Sequence, residues 1–344
     1  MSLSDLPNPK AAADLIARTK KLFNKRVCLA PMSDHVMPIV AAHTLSVESM
    51  LRRIAVDGHV YAYGQTKQLS KDHFPIEFQR KGIRDVSVFN GFCSKHDREL
   101  FSCLETEPFV FRRDQLFMLA YRAAAREFYL KPKQHEAIPT VEEIAAIHEI
   151  EPFQPDELMQ LFAAASGTGA SDVEALKEKL DELLLAKAWD RFISHAVLFD
   201  STPTVLASSV FQPFFDMDGN ELQDGSDLNA DLSPIFVSVI PLASGGGAAI
   251  FSWQDTANSA PRRYFESAIR GVDMTATVIH VLLDNIENLA FAPGWFEGLT
   301  HEQKQYMLSR TLLMSGVPTH ARGHRAESAA PRLADWGKAI VVPF

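Results

Sequence analysis

The chain has 344 residues, 47% of them apolar and 22% charged, with a formal net charge of −9. At about 150 residues per domain, that length allows two domains and a full core. The apolar content excludes disorder, the lack of a Gly-x-y or heptad period excludes fibrous classes, and no apolar run reaches the roughly 18 residues of a membrane-spanning helix. The charge is divided unevenly. Residues 1–135 hold 21 Lys+Arg against 14 Asp+Glu, a surplus of +7, while residues 136–344 carry −16. A basic segment joined to an acidic one points to a polyanion near the first, although a solvated face carries such a surplus too. The N-terminus lacks a continuous apolar stretch of signal-peptide type. Three cysteines, an odd number, argue against a disulfide framework, so the expected setting is a reducing cytoplasm.

In chain order, residues 11–23 have helical apolar spacing, with Asp14 early and Lys20 and Lys21 late to suit the helix dipole. A Pro-punctuated stretch over 27–42 ends in a short strand, Ile39 to Ala42. Ser46 caps a helix to about Val56, Asp57-Gly58 stops it, and His59 to Tyr63 reads as a strand. Residues 64–88 are polar without period and read as a long loop. Residues 89–105, FNGFCSKHDRELFSCLE, are a turn entering a helix. Residues 114–130 form a helix that Pro132 should stop. Capping boxes at Thr140–Glu143 and Ser171–Glu174 open helices, the second running to about Val197, with SGTGAS (166–171) as a hinge between them. Runs at 204–215, 235–242 and 248–253 are strand-like, and helices follow at about 261–270, 274–290 and 301–314. The expected fold class is α+β: a small N-terminal module of short strands and helices over 1–135, stapled by zinc, then a larger mixed α/β domain over 136–344.

Two cysteines have metal-like surroundings. Cys93 and His96 form a Cys-x-x-His pair at a turn, a chelating spacing for tetrahedral zinc. Cys28 and His35, seven residues apart, offer a looser second pair. Asp34 or His43 could fill the fourth position in place of His35. Chance alone also yields such spacings among twelve histidines, and buried cysteines often serve as small hydrophobes.

Val27-Cys28-Leu29, Ile39-Val40-Ala41-Ala42-His43-Thr44, Gly58-His59-Val60-Tyr61 and Phe89 to Asp97 with Leu100-Phe101 resemble a group of bacterial zinc-knuckle proteins with "AHT" and "FC-x-x-HD" motifs. The pattern is also similar to a diverged HNH (ββα-metal, treble-clef) nuclease module over residues 28–101. That resemblance implies zinc ligands Cys28, His35, Cys93 and His96, with both histidines standing where the pattern has cysteine. It implies His43 as general base, Asn90 as the middle Asn, and Asp97 in place of the final metal-binding His. A phosphodiesterase of this kind needs a base and a divalent ion, so Asp97 would take Mg²⁺ or Mn²⁺. Lys81, Arg84, Lys95 and Arg98, with Lys67, Lys71, Arg80, Arg112 and Arg113, would contact phosphates. The expected partner is nucleic acid, with a protein partner or a second copy also open and no membrane; the resemblance also carries an expected role in bacterial defence. The alternative is a non-catalytic zinc protein that recognises nucleic acid or a protein.

Each residue has a plainer reading: His43 as a core histidine, Asp97 as a helix cap, Asn90-Gly91 as a turn and His59 as a strand residue. Asp216–Glu221 looks like the start of a calcium loop but lacks its terminal Glu, so a hairpin with an Asp-Gly turn is expected. Ser244–Gly247 lacks the Lys-Ser/Thr of a phosphate loop and reads as a turn. Cys103 reads as core, and His320 and His324 lie in an Arg-rich tail.

Overall fold

A computed structural model describes residues 5–65, 76–225, 230–313 and 330–344. The chain is mixed α and β, with antiparallel sheets. Its helices are α1 (Pro9–Phe23), α2 (Arg52–Ile54), α3 (Ser94–Glu105), α4 (Arg113–Glu136), α5 (Val141–His148), α6 (Glu157–Ala186), α7 (Ala260–Ala268), α8 (Met274–Asn285), α9 (Pro293–Gly298) and α10 (His301–Leu313). Its strands are β1 (Ile39–His43), β2 (His59–Gln65), β3 (Ile76–Gly82), β4 (Val88–Cys93), β5 (Phe192–Phe199), β6 (Val205–Phe211), β7 (Ile235–Pro241), β8 (Gly247–Gln254), β9 (Leu289–Phe291) and β10 (Ala339–Pro343).

β1 and β4 form a two-stranded sheet, and the other strands form an eight-stranded sheet ordered β10-β5-β8-β7-β6-β9-β2-β3. Helices cover both faces of the large sheet, so its central strands are mostly apolar and almost wholly buried. Alternate residues of β7 divide between two cores. Phe236 and Ile240 pack with Leu116, Phe117 and Ala120 of α4 and Leu180 of α6. Ile235, Val237 and Val239 pack with Tyr264 and Phe265 of α7 and Val278 and Leu282 of α8. The hairpin β2–β3 enters this sheet through Tyr61 opposite Phe291 of β9, so strands from both sides of residue 135 share it.

Several local expectations are corrected. Residues 76–82, expected as loop, are strand β3, paired with β2 from His59↔Gly82 to Gln65↔Ile76; cross-strand pairing supplies what the polar sequence IEFQRKG does not advertise. SGTGAS lies inside α6, and that helix ends at Ala186, so residues 192–197 belong to β5. At Gly167 a Cβ would lie 3.3 Å from the His135 ring of α4. That close approach of two helices explains a glycine whose helix propensity costs about 1 kcal/mol. Pro132 lies inside α4: packing carries the helix past the N–H that proline lacks. The 274–290 helix stops at Asn285, leaving Leu289–Phe291 as β9. Lys67, Lys71, His320 and His324 lie outside the described residues. Among the described residues, no helix is long and apolar enough to cross a membrane.

Phe291 sits at the seam where β2 meets β6 across β9, with Tyr63 and Phe78 each 5.5 Å away, centroid to centroid. Phe291→Ala is expected to cost about 3–5 kcal/mol in urea unfolding, because a fully buried ring is lost from both strand contacts. A loss under about 1 kcal/mol would contradict this placement.

Candidate metal centre

Residues 27–29 run beside β4: the amides of Val27 and Leu29 donate to the carbonyls of Asn90 (3.2 Å) and Gly91 (2.8 Å). Gly91 permits the approach, since a Cβ there would meet Phe89 at 2.4 Å and Leu29 at 3.2 Å. This lays Cys28 next to Cys93, whose amide donates to the Cys28 sulfur at 3.3 Å. Cys93 ends β4 and is the N-cap of α3, which places His96 one turn into the helix. The ligand atoms of Cys28, His35, Cys93 and His96 all lie within 4.8 Å of one another, and this is the one such group among the described residues. The group could hold a metal ion.

The geometry turns on the His96 imidazole. Its Nε2 lies 3.0 Å from Oδ1 of Asp34, the expected place for its proton, which leaves Nδ1 with a lone pair. That Nδ1 faces the sulfurs of Cys28 and Cys93, each at 3.4 Å, and Nδ1 of His35 at 3.3 Å. One lone pair cannot serve three neighbours as a hydrogen-bond acceptor. A tetrahedral ion at about 2.3 Å from sulfur and about 2.05 Å from nitrogen has sulfur–nitrogen edges near ~3.5 Å and nitrogen–nitrogen edges near ~3.3 Å. The observed separations match those edges. Asp34, the alternative fourth ligand, instead backs His96 and pairs with Lys95. The Lys95 ammonium and the His96 ring hold its carboxyl at about 2.

The two thiols differ. Burial pushes the Cys28 thiol up. Burial also acts upward on Cys93, but N–H donors from Val36, His96 and Lys95 and its contact with Cys28 outweigh it and hold the thiol at about 7. Buried Cys103 is pushed up to about 11 and packs in the core, as expected.

The other candidate residues divide into two groups. His43 ends β1 opposite Val88, four positions from the Ile39↔Cys93 pair and so about 13 Å along the strand from the cluster. Its Nε2 lies 3.2 Å from the Arg84 carbonyl. Asp97 is in the first turn of α3, half-buried; burial raises its pKa, the Arg122 cation opposes this, and Glu105 and His43 also act on it. Arg122, only 2% exposed, pairs with Glu105 at 2.7 Å, and the Ser46 hydroxyl donates to the same carboxylate. Ser46, Glu105 and Arg122 thus form one polar patch, and Asp97 feels its charges and that of His43. Asn90, two residues along β4 from Val88, lies beside the Tyr129 hydroxyl. His59 faces the carbonyl of Asp57, at the start of β2. Lys81 donates to the Tyr63 carbonyl and Lys95 is paired with Asp34, whereas Arg84 and Arg98 are exposed. Asp216 accepts from the amides of Asp218 and Asn220 in a tight turn, as the hairpin expectation required.

The sequence pointed to all four members of the cluster but not to the contacts of Asp34, Glu105 and Arg122. Asp34→Asn should weaken Zn²⁺ binding roughly 10- to 100-fold in a chelator competition, because Asp34 orients His96; unchanged affinity would contradict that role. Metal uptake should also weaken as pH falls, because protons compete for the Cys28 sulfur, whose thiol is pushed up, and below about 7 for the Cys93 thiolate as well. A pH-independent affinity between 6 and 8 would contradict thiolate ligation.

Compared with known proteins, the chain matches no family model, no curated sequence and no solved structure.

Proposed function

We propose that Cys28, His35, Cys93 and His96 hold a structural zinc ion, and that the unit it fastens is a metal-dependent nucleic-acid phosphodiesterase of the HNH kind. Two thiolates and two imidazoles suit zinc, and four protein ligands leave no open position, the mark of a structural rather than a catalytic ion. The observation that carries the enzymatic reading is that His43, at the end of β1, lies within electrostatic reach of Asp97, in the first turn of α3. Donation from His43 Nε2 to the Arg84 carbonyl leaves Nδ1 with the lone pair that a general base needs. Asp97 offers a hard oxygen to Mg²⁺ or Mn²⁺, which would supply charge to stabilise the developing oxyanion. Arg84, whose carbonyl meets His43, and Arg98, next to Asp97, are exposed and would engage phosphates.

A second reading, a zinc protein that recognises nucleic acid or a protein without cutting, also has support. Asn90 is engaged with Tyr129, and Lys81 and Lys95 already have partners.

Zinc-loaded protein, supplied with Mg²⁺ or Mn²⁺, should cut DNA or RNA. His43→Ala should lower that rate about 10²- to 10⁴-fold while retaining one zinc per chain. Wild-type protein that binds zinc and cuts neither substrate favours the second reading. Equal cutting by His43→Ala removes His43 as the base.

A further inference from the structure

The metal cluster has a support that comes from far along the chain. Lys177 of α6 is only 3% exposed, yet its ammonium makes two hydrogen bonds. It donates to the Leu29 carbonyl at 2.8 Å and to Oδ1 of Asp181 at 2.5 Å. The Tyr121 hydroxyl of α4 donates to the same Asp181 oxygen at 2.7 Å, and the ammonium lies 4.9 Å from the centre of the Tyr121 ring. Burying an ammonium is costly unless its hydrogen bonds are made. Here one of them goes to a backbone carbonyl in a segment with neither helix nor strand, one residue from Cys28.

Leu29 is consequently gripped on both sides. Its amide donates to Gly91 beside β4, and its carbonyl receives Lys177. A chelating residue outside regular structure has no ladder of hydrogen bonds to fix it, whereas a metal tolerates ligand displacements of only about 0.2 Å. Cys93 and His96 are positioned by a strand end and a helix start; Cys28 is held between the Val27 and Leu29 bonds to β4 on one side and Lys177 on the other.

We propose that Lys177 is a positioning residue of the metal centre, acting through the Leu29 carbonyl to hold the Cys28 sulfur at coordinating distance. The centre would then be completed by α6 and α4 rather than by residues 28–96 alone. This inference rests on reading the cluster as a zinc site.

The test uses the full-length chain, titrated with Zn²⁺ against a chromophoric chelator and melted with and without the metal. Lys177→Met keeps the stem and removes the donor. It should weaken Zn²⁺ binding roughly 10- to 100-fold, with a correspondingly smaller zinc-induced rise in Tm, and Lys177→Arg should restore most of the affinity. A merely structural role would instead lower Tm equally with and without zinc and leave the affinity unchanged, which would overturn the proposal. If Lys177→Met does not fold, Asp181→Asn replaces it: this keeps an acceptor for Tyr121, loosens Lys177, and should weaken binding about three- to tenfold. Unchanged affinity in Asp181→Asn overturns the proposal equally. Wild-type protein that takes up no zinc defeats the underlying reading of the cluster, a different failure from the variants matching wild type.

Discussion

The imidazole of His96 is engaged on both sides, by the Asp34 carboxylate at Nε2 and by two sulfurs and the His35 ring at Nδ1. The first contact sets the tautomer, and the second places a lone pair at the meeting point of four donors. The surrounding arrangement of the N-terminal segment serves this point. β4 delivers Cys93 at the mouth of α3, α3 delivers His96 one turn later, and the irregular stretch beside β4 delivers Cys28 and His35. Asp34, adjacent to one ligand, orients another across 62 residues of sequence.

The same strand pair has two chemically different ends. At the Cys93 end, two thiols and two imidazoles converge. At the other, the His43 ring meets the Arg84 carbonyl, and Ser46, Glu105 and buried Arg122 form a polar patch. The β1–β4 ladder sets the distance between them. Arg122 links that patch to α4, whose other side packs on the large sheet, while Tyr121 next to it joins the Lys177–Asp181 pair. One helix thus reaches both ends.

Much of the site was legible because chelation imposes short-range rules. Cys-x-x-His at a turn announces itself, and it identified Cys93 and His96; the looser Cys28–His35 spacing was confirmed as a cluster only by the fold that closes the 65 residues between the two cysteines. The apolar runs of β6, β7 and β8 were legible because strands buried on both faces need continuous hydrophobicity. β3 was not, since Glu77, Gln79, Arg80 and Lys81 become a strand only through pairing with β2. α6 was misread at Gly167 and Gly169 because local propensity counts glycines as breaks, whereas close packing on His135 rewards one of them. Lys177 and Asp181 stand at ordinary i,i+4 helical spacing, and nothing local distinguishes that pair from a solvated one. Their target, the Leu29 carbonyl, is 148 residues away.

Zinc-edge X-ray absorption on the full-length protein tests the central claim most directly. The account predicts a first shell of two sulfurs near about 2.3 Å and two imidazole nitrogens near about 2.0–2.1 Å. A first shell dominated by oxygen, or protein that retains no zinc, would contradict it.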